Sequence, residues 1–91
     1  MTYMLVRNRV ADFDTWKPIF DAQDEAAQAA GLRLVNLWRG VENANNVFFI
    51  FEVASIKRAK AFINDPESAK VGEASGVIDG ECHFLEEISG C

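Results

Sequence analysis

The sequence is short of the residues most chemistry is built from. It has one histidine, His83, and two cysteines, Cys82 and Cys91, with no repeated spacing between them. Two unpatterned cysteines make neither a disulfide framework nor a zinc site, and the expectation is free thiols in a reducing cytosol. With so few imidazole and thiolate donors, only scattered carboxylates remain as metal ligands, and no metal site is expected. Lys and Arg number 9 against 14 Asp and Glu, a net charge of −5. They form no cluster, so phosphate neutralisation has no basic face to work from, and nucleic acid and anionic membranes are both disfavoured as partners. No run approaches the ~20 apolar residues that span a bilayer. The first ten residues carry Arg7, Asn8 and Arg9 where a signal peptide needs an apolar core. A soluble, cytoplasmic protein is expected. Gly72, Gly76 and Gly80 do not follow a strand and open a helix, so a phosphate-cradling loop is also missing.

What the chain does have is apolar surface. Of its 91 residues, 49% are hydrophobic, with 7 Phe and 2 Trp. A single domain of this length buries only about 60–65% of its unfolded surface, so part of that apolar content is expected to meet a partner. The most apolar stretch, VFFIFEV at residues 47–53, is β-branched and aromatic and ends at polar turns. It reads as a strand buried on both faces, in the middle of a sheet. Phe49 and Phe51 are assigned to the face that meets the helices, because the other parity set contains Glu52.

Four strands and two helical regions follow from the pattern. Residues 3–10 alternate Met4, Val6, Asn8, Val10 against Tyr3, Leu5, Arg7, Arg9. A helix is expected over residues 14–30, with Asp14 preferred to Asp12 as N-cap because that leaves Pro18 in the first turn. Gly31 ends it. Trp16, Ile19, Phe20, Gln23, Ala27 and Ala30 make its inner stripe. Residues 32–39 form a second strand, grouped as Leu32, Leu34, Asn36, Trp38 against Arg33, Val35, Leu37, Arg39, and it pairs with 47–53 as a hairpin. Ser55 caps a helix over 56–64, and Asp65-Pro66 starts another at once, ending near Gly76. Residues 78–88 form a last strand with acid on both faces, the mark of an edge, and 89–91 a tail. The order is β-α-β-β-α-β, a ferredoxin-like α+β plan with a four-stranded antiparallel sheet and helices on one face. The uncovered face is where a homodimer would form.

The stretch MLVRNRV at residues 4–10, the run FEVAS at 51–55 leading into an Ala/Phe-containing helix, and the order of elements together resemble the dimeric α/β-barrel superfamily. The similarity is greatest to its antibiotic-biosynthesis-monooxygenase-like group. The resemblance implies two ferredoxin-like sheets packed face to face. It implies a small apolar or aromatic ligand between sheet and helices, and either a cofactor-independent monooxygenase or a related isomerase or cyclase. It also implies that Asn8 matches the first-strand asparagine which faces the cleft in the group's oxygenases. The haem-degrading branch uses a Trp and a His where this chain has Phe62 and Gly72, so haem degradation is not expected and no cofactor is.

Each candidate residue has a functional and a structural reading. Asn8 is either a donor to a substrate oxygen or an amide satisfied by backbone or water. His83, with Glu81 and Glu87 on its face, is either an acid–base group or an edge-strand histidine at the rim. Trp16, Phe20, Phe49, Phe51 and Phe62 are walls of a binding cleft or plain core. Trp38 lines the same cleft or sits at an interface. Arg7, Arg9 and Glu52 fall on adjacent strands, read as parallel, and form an anion site or, by preference, an ion pair at the dimer interface. The expected function is binding of a small apolar or aromatic molecule, with cofactor-independent oxygenation as the chemistry. A non-catalytic ligand-binding or interaction module is the alternative, as is an isomerase or cyclase that uses His83.

Overall fold

The computed structural model describes residues 1–88, so the expected tail and Cys91 lie outside the described residues. The chain runs β1 (Thr2–Val10), α1 (Phe13–Ala22), α2 (Asp24–Ala29), β2 (Leu32–Arg39), β3 (Asn46–Val53), α3 (Ile56–Ile63), α4 (Pro66–Ala74) and β4 (Val77–Glu86). The four strands make one sheet in the order β2-β3-β1-β4, every neighbour antiparallel. β1 and β3 are central and the acidic last strand is an edge, as the patterning implies. No described helix is long and apolar enough to cross a membrane.

Parity decides which side of the sheet each residue serves. Val47, Phe49, Phe51 and Val53 of β3 are buried, and so are Met4, Val6 and Val10 of β1. These side chains join Trp16 of α1, Ala27 of α2, Leu32 of β2 and Ala59 of α3 in one core between sheet and helices. Ala27 and Ala59 lie where helices approach the sheet, at 4% and 0% exposure. A larger side chain at either position would hold the helix off the sheet.

Corrections fall in three places, the first of them α1. The cap of α1 is Asp12, not Asp14. Its carboxylate accepts from Thr15 N at 3.2 Å and from Thr15 Oγ1 at 2.8 Å. The next residue is tied across the molecule, with Phe13 N donating to Asn45 Oδ1 at 3.0 Å. These contacts fix the start of the helix and leave Pro18 in its interior, on the exposed side. The single helix expected over 14–30 is two, broken at Gln23. Gly31 at its end takes φ +79°, a conformation that suits glycine.

The second correction concerns β2. Leu34 pairs with Phe51 but Asn36 pairs with Ile50, so Val35 is an extra residue. Such a bulge reverses the facing of everything after it. Leu37 then lies opposite Phe49 on the helix side, and Trp38 opposite Phe48 on the other. The third concerns Glu52. β1 and β3 are antiparallel, and Glu52 sits across from Tyr3, far along the strand from Arg7, which faces Phe48. Its ion-pair partner is Arg33, its cross-strand neighbour on β2.

Candidate functional site

A cavity of about 870 Å³ opens between the sheet and the helices. Its floor is the helix-facing side of β1 and β3, with Met4, Val6, Asn8, Phe49 and Phe51. Trp16 and Phe20 reach it from α1, Phe62 from α3, and Gly80 and Cys82 from β4. The aromatic walls are packed against each other. Trp16 and Phe20 stack with centroids 4.6 Å apart, Phe20 lies 4.8 Å from Phe49, and Phe49 meets Phe51 edge-on at 5.6 Å. The aromatic inner wall is joined by polar lining residues, among them Asp21, Gln23, Asp24, Gln28 and Arg33, and a cleft of this size with an apolar interior and polar groups around it is a usual form of small-molecule site.

Helix periodicity explains the aromatic contribution of α1. Trp16 and Phe20 are four residues apart, so both project from one face onto β3. α3 is placed by its cap, in which Arg58 N donates to Ser55 Oγ at 3.3 Å. α4 begins at Pro66 with Asp65 accepting from Glu67 N at 2.9 Å. Both starts fall where the sequence puts them, and together they set Phe62 at the cavity.

Asn8 brings the one side-chain amide of the β1 floor. It is half-buried among apolar neighbours. Among the described residues, no hydrogen bond engages it. Its oxygen lies against Gly80, where an ideal Cβ would overlap it, and its N–H donors have no partner among the described residues. Cys82 lies two residues from Gly80 on the same strand face, and partial burial pushes its thiol pKa up. It is a neutral thiol at the cavity wall and not a ready nucleophile.

Of the sequence candidates, Asn8, Trp16, Phe20, Phe49, Phe51 and Phe62 come together at this cavity. Trp38 and His83 do not. Trp38 was turned to the opposite face by the Val35 bulge and is 49% exposed there. His83 pairs with Leu5, on the side of the sheet without helices. It stands at the end of a line of polar side chains along β1 and β4. Arg9 bonds Asp79 at 2.6 Å, Arg7 lies 3.7 Å from Asp79 and 2.9 Å from Glu81, and His83 Nε2 stands 3.2 Å from Glu81 Oε2. The His83 contact and then Arg7 hold the Glu81 carboxyl below its usual pKa, and the Arg9 hydrogen bonds do the same for Asp79. Asn8 and His83 thus lie on opposite sides of one sheet and form no pair within the chain. Among the described residues, no group of three or more His, Cys, Asp or Glu side chains gathers to hold a metal.

Sequence reasoning missed Gly80 and Cys82 as wall residues. The available signal was register: with β4 beside β1, a residue facing Asn8 has to lie on the cavity side.

No family model matches the chain, and no curated protein matches its sequence. Solved structures do match its fold. A protein of Bordetella bronchiseptica, provisionally named an antibiotic biosynthesis monooxygenase, superposes with a TM-score of 0.77 at 9% identity over 97% of both chains. A similarly named protein of Deinococcus radiodurans gives 0.64 at 11% identity over 100% of this chain and 96% of its own. An uncharacterised NIPSNAP domain protein of Burkholderia xenovorans gives 0.69 at 16% identity over 100% and 98%. The chain has the ferredoxin-like fold of these proteins over essentially its whole length. Identities this low carry the fold and no activity.

Proposed function

We propose that the protein binds a small apolar or aromatic molecule in the cavity between sheet and helices and acts on it as a cofactor-independent monooxygenase. The observation that carries this reading is the open Asn8 amide set among stacked aromatic walls. The names carried by its structural neighbours support the reaction class. In such a reaction the substrate supplies the electrons. A methylene group activated by a neighbouring carbonyl is oxidised by dioxygen to a ketone, and the second oxygen atom leaves as water. The protein's part is to hold the substrate and exclude water. Trp16, Phe20, Phe49, Phe51 and Phe62 enclose the ring system, and Asn8 donates to the substrate oxygen on which charge develops. His83 of the same chain has no part in it, since it faces away.

The sheet face opposite the helices supports a homodimer. It presents Tyr3, Leu5, Phe48, Ile50, Trp38 and Leu85 as an apolar centre, with Arg33–Glu52 on one flank and the Arg7–Glu81 and Arg9–Asp79 pairs on the other. An apolar centre with a charged rim is the usual anatomy of an interface, and a second copy offers the same patch across a two-fold axis. The exposed free thiol of Cys82 suits a reducing cytoplasm.

The test is oxygen consumption with anthrone- and quinol-type substrates. Wild type is expected to consume oxygen, and Asn8→Ala to lose about 10²-fold or more in turnover, the cost of one donor to a developing oxyanion. Binding of these compounds without oxygen uptake would leave a non-catalytic binding module.

A further inference from the structure

Gly80 sits in the middle of the edge strand β4, directly across from Asn8. Its backbone gives no reason for glycine. The described glycines at positive φ are Gly31 and Gly76, so Gly80 has torsions open to any residue. What the position lacks is room. An ideal Cβ built there would overlap Asn8 Oδ1 and stand 2.7 Å from the carbonyl oxygen of Arg7. Real Cβ atoms do not approach so closely, so one or both neighbours would have to move. Glycine inside a strand marks such a close approach.

We propose that Gly80 is a positioning residue for the candidate site. The space left by its missing Cβ seats one end of the Asn8 amide against β4, and this turns the other end toward the cavity. The cavity thereby selects apolar molecules that carry a hydrogen-bonding oxygen over those that carry none. The inference rests on the reading of the cavity as a ligand site and adds the residue that fixes its polar contact. A side chain at position 80 would push the amide into the cavity volume or rotate it away from the ligand. Without a partner, the oxygen of a bound ligand would be desolvated at a cost.

The experiment compares 1-naphthol with naphthalene, two probes of the same ring system with and without an oxygen, by titration calorimetry. Asn8→Ala is expected to weaken 1-naphthol about three- to tenfold, the range of a single hydrogen bond, and to leave naphthalene within about twofold. Gly80→Ala is expected to produce the same selective loss with Asn8 present and no further loss in the Asn8→Ala background. Equal losses for both probes in Gly80→Ala would mean that the residue only sets strand spacing, which overturns the positioning role. Unchanged 1-naphthol affinity would overturn it too. If Gly80→Ala alone fails to fold, the double variant decides. Recovered folding in Asn8→Ala/Gly80→Ala identifies the amide as the group displaced and supports the proposal. Failure of both identifies the Arg7 carbonyl and overturns it. Binding of neither probe to wild type would remove the ligand-site reading itself, a result distinct from selective binding that ignores position 80.

Discussion

Asp12 and Asp14 are both helix-capping residues by type, and only one of them caps. The choice made from Pro18 alone favours Asp14, because it shortens the helix behind the proline. In the fold, two bonds from Thr15 and the tie from Phe13 N to Asn45 outweigh that preference. The second of these is a contact between residues 32 positions apart, invisible to any local window. Asp12→Ala is therefore expected to destabilise the protein by about 1 kcal/mol, and Asp14→Ala by much less. Chemical denaturation of the two variants measures the difference. Phe49 tests the cavity floor in the same way. It is 6% exposed and touches three aromatic rings, so Phe49→Ala is expected to cost about 3–5 kcal/mol. A loss under 1 kcal/mol would show a floor that can collapse without it. Asn8 was legible as an amide on an apolar strand face. Gly80 was not, because its significance lies in the residue opposite and not in its neighbours along the chain.

At the scale of elements, period-two alternation grouped the residues of β1 and β3 as the register has them and set Phe49 and Phe51 toward the helices. It failed in β2 after Val35. A bulge adds one residue without any mark in the side-chain pattern: Leu-Arg-Leu-Val-Asn-Leu-Trp-Arg reads equally well without it. Trp38 and Leu37 were exchanged as a result. Glu52 was paired with the wrong strand for a related reason, since its partner depends on strand direction. The charges along β1 and β4 carry a pH prediction. Asp79 and Glu81 have pKa values lowered in the folded state. A lowered carboxyl contributes stability above its unfolded pKa, about 4, and loses it as pH falls through the lower folded value. Thermal melting is expected to be flat from about pH 7 to 5 and to fall below about pH 4. Glu81→Gln should shallow that fall, and added salt should do the same because these pairs are exposed. A fall of unchanged steepness in Glu81→Gln would assign acid sensitivity elsewhere.

For the whole molecule, the order of elements and the central places of β1 and β3 were legible from a few strong signals. These were the apolar run at 47–53, of which only the helix-facing set is buried, the caps at Ser55 and Asp65, and the acid on both faces of the last strand. The outcome is a sheet with two different uses. One side meets helices and holds the cavity; the other presents apolar residues between charged flanks. Leu5→Glu, which puts a charge in the centre of the second side, is expected to convert a dimer to a monomer in sedimentation at micromolar concentration. A wild-type protein that sediments as a monomer there would contradict the proposed dimer.

The two tryptophans divide between these sides and report on them separately. Trp16 is buried at the cavity and Trp38 stands on the opposite face. Titration with 1-naphthol, followed through the two indole N–H resonances, tests most directly whether the cavity is the ligand site. The expected result is a saturable shift of the Trp16 signal with the Trp38 signal unmoved. A shift at Trp38 alone, or at neither, would contradict it.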